Sequence, residues 1–123
     1  MQDITTYCKN LLGTGRDCSE YAQDLMEKFG NYGATGDIVC LKTRGCVITD
    51  LLYVPTNGDL KNCGRYIHHF IFVQDGLVYD IRHNNIGVEF KEYINMLEKV
   101  VPSGIRADMT LSSSNMGLPV SRR

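Results

Sequence analysis

The sequence predicts an α+β domain in which N-terminal helices pack on a small antiparallel β-sheet. Three observations carry that expectation. Apolar residues in the first thirty positions repeat with the period of a helix. Between residues 37 and 82 they give way to short β-branched and aromatic runs separated by turn residues. A last helical repeat then precedes Pro102. The length of 123 residues suits one domain. A 43% hydrophobic share is too high for a disordered chain.

The elements follow in order. Ile4, Tyr7, Cys8, Leu11 and Leu12 form one apolar stripe, so residues 3–12 read as a helix that Asp3 caps and Gly13 stops. Asp17 opens a second helix to about residue 29. Glu20 stands three residues on, as in a capping box, and Ala22, Leu25, Met26 and Phe29 form its apolar face. Strands are expected at 37–42 and 46–54, followed by a turn or exposed loop over 56–59. Residues 66–74 and 77–82 form the clearest hairpin, through Gln74, Asp75 and Gly76, with a loop at 83–87. Phe90, Tyr93, Ile94 and Leu97 mark a third helix over 89–99. The body of the domain is thus 1–101. Residues 102–123, rich in serine, are expected to give an edge strand at 105–111, a flexible tail, or both.

Composition removes several classes of function. The net charge of −1 argues against gripping nucleic acid by bulk charge. No apolar run approaches the roughly 18 residues of a membrane span, and no signal peptide is expected. Cys8, Cys18, Cys40, Cys46 and Cys63 include no C-x-x-C, so a zinc ribbon or thioredoxin motif does not fit. Five cysteines cannot all pair within one chain, which points to a reducing compartment or to a thiol with a role. Cys40 and Cys46 are expected to be inert, buried thiols. No metal or cofactor is expected: His68 and His69 are adjacent on a strand and point to opposite faces. Gly13-Thr14-Gly15 lacks the Lys-Ser/Thr of a phosphate-binding loop.

Cys18 carries the chemistry. It falls in the first turn of the second helix, where unpaired amides and the helix dipole favour a thiolate. Asp17 opposes that effect by its charge. By itself, Cys18 also continues the face of Ala22, Leu25 and Phe29. A thiol nucleophile needs a base and an acid to orient it. The histidines are His68, His69 and His83, and Asp80 is an acid within an apolar strand. A three-residue hairpin loop would set His68 on the face of Asp80. A two-residue Asp75-Gly76 loop would set His69 there.

Residues 17–22 around Cys18, 68–73 beginning His68-His69, Val78-Tyr79-Asp80, Gly87 and 89–97 resemble the papain-fold toxin domains, small effector ends of bacterial polymorphic toxins. The order Cys, His, Asp on helix, strand and strand is that of the wider papain-like superfamily, which includes NlpC-type hydrolases and transglutaminase-like enzymes. In the NlpC-type pattern the histidine and third residue lie twelve positions apart. His68 and Asp80 match this, so the resemblance prefers His68, with His69 in reserve. It implies a papain-like fold and a cysteine hydrolase or transferase acting on an amide as peptidase, deamidase or transglutaminase-like enzyme. Papain-type enzymes carry a glutamine before the cysteine. Residues 12–16 hold none, so the Cys18 amide with Thr14 or Arg16 is expected to hold the oxyanion. Arg65, Arg82 and His83 are candidates for substrate binding. The resemblance further implies secretion within a larger toxin, action in the target-cell cytoplasm, and a cognate immunity protein.

A second reading keeps the toxin and changes its reaction to tRNA cleavage. The two adjacent histidines would then be the acid–base pair, Lys61, Arg65, Arg82 and His83 the phosphate clamp, and a host carrier protein would supply affinity. A third reading is a non-catalytic binding module.

Overall fold

In the second helix, residue choice fixes the start. Asp17 Oδ1 accepts the Glu20 amide at 2.9 Å and the Ser19 hydroxyl at 2.7 Å, while Glu20 Oε1 accepts the Asp17 amide at 3.0 Å. This reciprocal capping box places Cys18 at the first helical position. A computed structural model describes residues 4–11, 14–15, 17–31, 33, 35–45 and 51–112. The elements are α1 (Ile4–Leu11), α2 (Cys18–Asn31), β1 (Asp37–Thr43), β2 (Leu52–Thr56), β3 (Asp59–Tyr66), β4 (His69–Gln74) and β5 (Leu77–Asp80). A 3-10 turn (Ile81–His83), β6 (Asn85–Glu89), α3 (Phe90–Glu98) and β7 (Ile105–Ser112) follow. The expected Asp3 cap, the Gly13 stop and residues 46–50 of the second expected strand lie outside the described residues.

The fold is α+β. Five antiparallel strands run in the order β6-β5-β4-β1-β7, and β2 and β3 form a separate two-stranded sheet. Alternation along β4 and β5 gives the larger sheet two apolar faces. On one face Ile38, Phe72 and Tyr79 pack with Cys8 of α1 and Tyr21, Ala22, Leu25 and Met26 of α2. Phe29 stacks on Phe72 with ring centroids 5.3 Å apart. On the other, Val39, Leu41, Ile71 and Val78 pack with Tyr93 and Leu97 of α3 and with Leu52 and Val54 of β2. Among the described residues no helix is long and apolar enough to cross a membrane.

Three expectations need correction. The run 66–74 is not one strand: Tyr66 ends β3 and His69 begins β4, and the break leaves Ile67 60% exposed where the chain passes between sheets. Residues 59–65, too polar to read as a strand, form β3 because Asn57 and Gly58 take positive φ and turn the chain back along β2. The expected loop at 83–87 contains a turn and then β6, which pairs with β5. The segment at 105–111 is the edge strand β7, paired along β1, and residues 113–123 lie outside the described ones.

Gly36 precedes β1 directly beneath Phe72. A Cβ there would collide with the Phe72 ring and approach the Val73 carbonyl to 2.9 Å. Gly36→Ala is expected to destabilise the fold by about 1–3 kcal/mol, seen as a lower urea midpoint at unchanged slope. Gly30→Ala, in α2 with nothing within 4 Å of its Cβ, is expected to hold or raise that midpoint.

Candidate active site

The turn between β4 and β5 decides which histidine faces inward. Gln74 pairs with Leu77, Val73 with Val78 and Phe72 with Tyr79, so the loop is the two residues Asp75 and Gly76. Both have positive φ, 54° and 76°, as a type I′ hairpin requires. This register puts His69 and Asp80 on the face covered by α3. It leaves His68 exposed, edge-on to Phe70 at 5.3 Å between ring centroids. The preference for His68 is therefore corrected to His69. Spacing along the chain favoured His68, but hairpin parity excludes it.

His69 is fully buried, and its Nε2 lies 3.1 Å from Asp80 Oδ1. Asp80 Oδ2 accepts the Tyr93 hydroxyl from α3 at 2.7 Å. Burial pushes the Asp80 carboxyl up, but the His69 charge and hydrogen bond, with His83 and Tyr93, outweigh it and hold it below 3.8. Burial of Tyr93, reinforced by Asp80, keeps its phenol protonated well above the usual range. Tyr93 is thus a permanent donor, and Nε2–H of His69 donates to the other carboxylate oxygen.

Cys18 arrives from the opposite face. The beginning of α2 reaches the start of β4, where the Phe70 amide points to Sγ at 3.5 Å. His69 Nδ1 is buried and has no hydrogen-bond partner among the described residues. The neighbouring group that acts on the imidazole, besides Asp80, is the half-buried Cys18 thiol. Burial alone would raise the thiol pKa. The neighbouring His69 imidazole and the Phe70 amide reverse this, so the net shift is downward from 9.0 against the opposing charge of Asp17. Burial likewise depresses His69, but Asp80 and then Cys18 overcome it and lift the imidazole to about 9. Both shifts favour thiolate beside imidazolium.

Tyr66 forms the wall next to this pair. Its ring stacks on His69, 4.9 Å between centroids, and its hydroxyl lies 2.6 Å from His83 Nε2. Arg82 Nε donates to the same hydroxyl at 3.3 Å, and His83 Nδ1 lies 3.0 Å from Thr56 Oγ1. One arrangement satisfies every group: Arg82 donates to Tyr66, Tyr66 to His83 Nε2, and His83 Nδ1–H to Thr56. Burial, with the charges of His69 and Arg82, lowers His83 to about 4 despite Asp80, so His83 is neutral. Beyond Tyr66 opens a cleft of about 460 Å³. Tyr21, Thr56, Asn62, Cys63, Arg82 and His83 are among the residues that line it.

The structure thus brings together Cys18, His69 and Asp80, and sets Arg82 and His83 beside the cleft. It does not bring Thr14 to the thiol, because that hydroxyl turns back to the Leu11 carbonyl at 2.7 Å. Arg16 lies outside the described residues. Arg65 points away from the cleft and lines a second groove. Tyr66 and Tyr93 complete the site without having been singled out as partners of the histidine and acid. The available signal was the need of a buried carboxylate for donors, with a tyrosine on the stripe of α3. Cys8, Cys18, Cys40 and Cys63 are free thiols. Among the described residues no cluster of three or more metal-ligating side chains occurs.

These shifts set a pH window for stability. His69, raised to about 9, contributes fully below 6.5 and loses its contribution as pH rises through 9. Asp80 contributes above 3.8 and fades as pH falls through its lower folded value. His83 binds a proton in the unfolded chain below 6.5 but not in the folded one until about 4, so stability falls across that interval. His83→Gln is expected to lower the baseline yet flatten this limb by on the order of 1 kcal/mol per pH unit. Urea midpoints from pH 4 to pH 7 check it, and parallel wild-type and variant curves would refute it.

No family model, curated protein or solved structure matches this chain, and the geometry of Cys18, His69 and Asp80 stands as the ground for its functional reading.

Proposed function

We propose that the protein is a cysteine-dependent enzyme acting on an amide bond, with a papain-like arrangement of Cys18, His69 and Asp80. The observation that carries this is the buried His69, held through Nε2 by Asp80 and facing a half-buried thiol at the start of α2. The thiolate attacks the acyl carbon and the C=O π pair moves to oxygen. The Phe70 amide, which donates to the sulfur, and the helix start that carries Cys18 favour negative charge there. As the tetrahedral species collapses, His69 gives its proton to the departing amine, leaving a thioester. Water or a second amine then attacks the thioester and returns a proton to the imidazole, and the C–S bond breaks to release the acyl product and the Cys18 thiolate. Asp80 and Tyr93 keep the ring in one tautomer throughout.

The resemblance of the Cys18, His68-His69 and Asp80 motifs to papain-fold toxin domains extends the proposal. The protein would serve as the effector domain of a secreted polymorphic toxin, act in the target-cell cytoplasm, and be neutralised by a cognate immunity protein. Thiols that must stay reduced fit action in a reducing compartment. The ribonuclease alternative needs two working imidazoles. His83 is engaged at both nitrogens, and His68 and His69 face opposite ways, which favours acyl chemistry.

Cys18→Ala and His69→Asn are each expected to abolish growth arrest on cytoplasmic expression, while His68→Ala retains it within about twofold, as suits an exposed side chain. Arrest that survives Cys18→Ala but needs His68 would refute the proposal in favour of RNA cleavage. The nucleophile can also be followed without a substrate. The pH profile of Cys18 alkylation by iodoacetamide is expected to inflect below 9.0 in the wild type and at a higher pH in His69→Asn, because burial and Asp17 are then opposed by the Phe70 amide without the imidazole. Tyr93→Phe is expected to retain the thiol and cost about tenfold in rate, through one lost donor to a buried carboxylate.

A further inference from the structure

The strand β3 separates two grooves. Asn62, Gly64 and Tyr66 look into the cleft beside the active site. Lys61 and Arg65, on the alternate face, line a second groove of about 390 Å³ together with Tyr53, Leu60 and Val100, and Cys63 borders both. Among the described residues β3 has one neighbour, β2, and no strand pairs with its other edge. β2 is largely buried, whereas β3 is exposed along most of its length.

The groups on that free edge follow from Pro55. Proline has no N–H, so Pro55 and its partner Cys63 form a non-hydrogen-bonded pair. Consistently, the Pro55 carbonyl accepts Asn85 Nδ2 at 2.9 Å. The alternation of an antiparallel ladder then makes Tyr53 and Arg65 the next such pair. Cys63 and Arg65 therefore turn their amides and carbonyls outward. The Lys61 amide is taken locally by Asp59 Oδ1 at 3.0 Å.

We propose that this edge of β3 is the docking site for the substrate polypeptide, which adds as an antiparallel strand and carries acidic side chains toward Lys61 and Arg65. An exposed edge flanked by a pocket on each face is what strand addition uses: main-chain bonds give affinity and alternate side chains give specificity. Residues across from Cys63 and Arg65 place their side chains on the cationic face, and their neighbours enter the cleft. The charge of the groove selects the occupant, because Lys61 and Arg65 are exposed cations beside apolar Tyr53, Leu60 and Val100. A second copy of the chain, paired antiparallel about Cys63, would set Lys61 against Arg65, a like-charge pair. This site rests on the acyl-transfer reading only for the identity of the bond that reacts.

Fluorescence anisotropy with the full chain carrying Cys18→Ala tests it. The probes are short labelled peptides of alternating Glu and Thr, their Lys–Thr counterparts, and Glu–Thr forms N-methylated at Glu or at Thr. The Glu–Thr peptide is expected to bind about tenfold tighter than Lys–Thr, as two exposed charge contacts supply. Lys61→Glu with Arg65→Glu reverses that order. N-methylation at Glu, whose amides would meet β3, abolishes binding, and N-methylation at Thr spares it. Circular dichroism confirms that the charge-reversed variant folds.

Equal binding of both peptides, indifference to charge reversal or to Glu N-methylation, or no binding at all overturns the proposal. So does wild-type dimerisation in sedimentation that the charge reversal changes. Alkylation of wild-type Cys18 separates the two readings. A reactive thiol without peptide binding rejects the docking edge alone, and peptide binding with an unreactive thiol rejects the catalytic reading alone.

Discussion

A carboxylate sealed beneath a sheet cannot stand alone, and the organisation of this protein answers that constraint. Asp80 is 2% exposed, and each of its oxygens has a donor, one from a strand and one from a helix. Removing one member of such a buried pair commonly costs about 3–5 kcal/mol, because the remaining charge has lost its solvation. The contact therefore binds α3 to β4 and β5 as well as orienting an imidazole. The same carboxylate raises the basicity of His69, which in turn lowers the thiol pKa of Cys18. The atoms that tie the helix to the sheet are the ones the proposed chemistry would use.

The small sheet is fastened to the large one by a second polar cluster, centred on His83. Thr56 and Tyr66 engage its ring, the Asn57 amide donates to its carbonyl at 2.8 Å, and Asn84 Nδ2 donates to Asn57 Oδ1. There is no space to spare: a Cβ on Gly64 would come within 2.5 Å of His83 Cε1 and 2.9 Å of the Tyr66 hydroxyl. These contacts hold Tyr66 against His69 and fix the far wall of the cleft. A neutral His83 suits this position, since a second cation next to a protonated His69 would be repelled.

The sequence made the helices legible because their periodicity and caps are local. The Asp17–Glu20 box placed Cys18 at a helix start, and the structure has it there. The strands were legible where β-branched residues cluster, and illegible at β3, whose polar residues are held by a hairpin turn and by the buried β2. The acid and the thiol of the candidate site were singled out from chain position, and the structure sets both beside His69. The choice of histidine could not be made by counting positions from His68 to Asp80, because sheet geometry depends on pairing parity. Asp75-Gly76 did carry the signal, being a strong type I′ dipeptide. Tyr93 was readable only as an apolar stripe residue, since its hydroxyl contact crosses from one element to another.

That parity gives a peripheral turn authority over which histidine meets Asp80. Strand side chains have only two directions, so lengthening the Asp75-Gly76 connection by one residue would slip β4 against β5 by one step. His68 would rotate inward, His69 would go to solvent, and the aromatic ring of Phe70 would trade sides with them. Two amino acids with exposed side chains of their own are thus constrained in number as well as in kind. Lineages of this protein should keep that bend at two residues and resist insertion or deletion there.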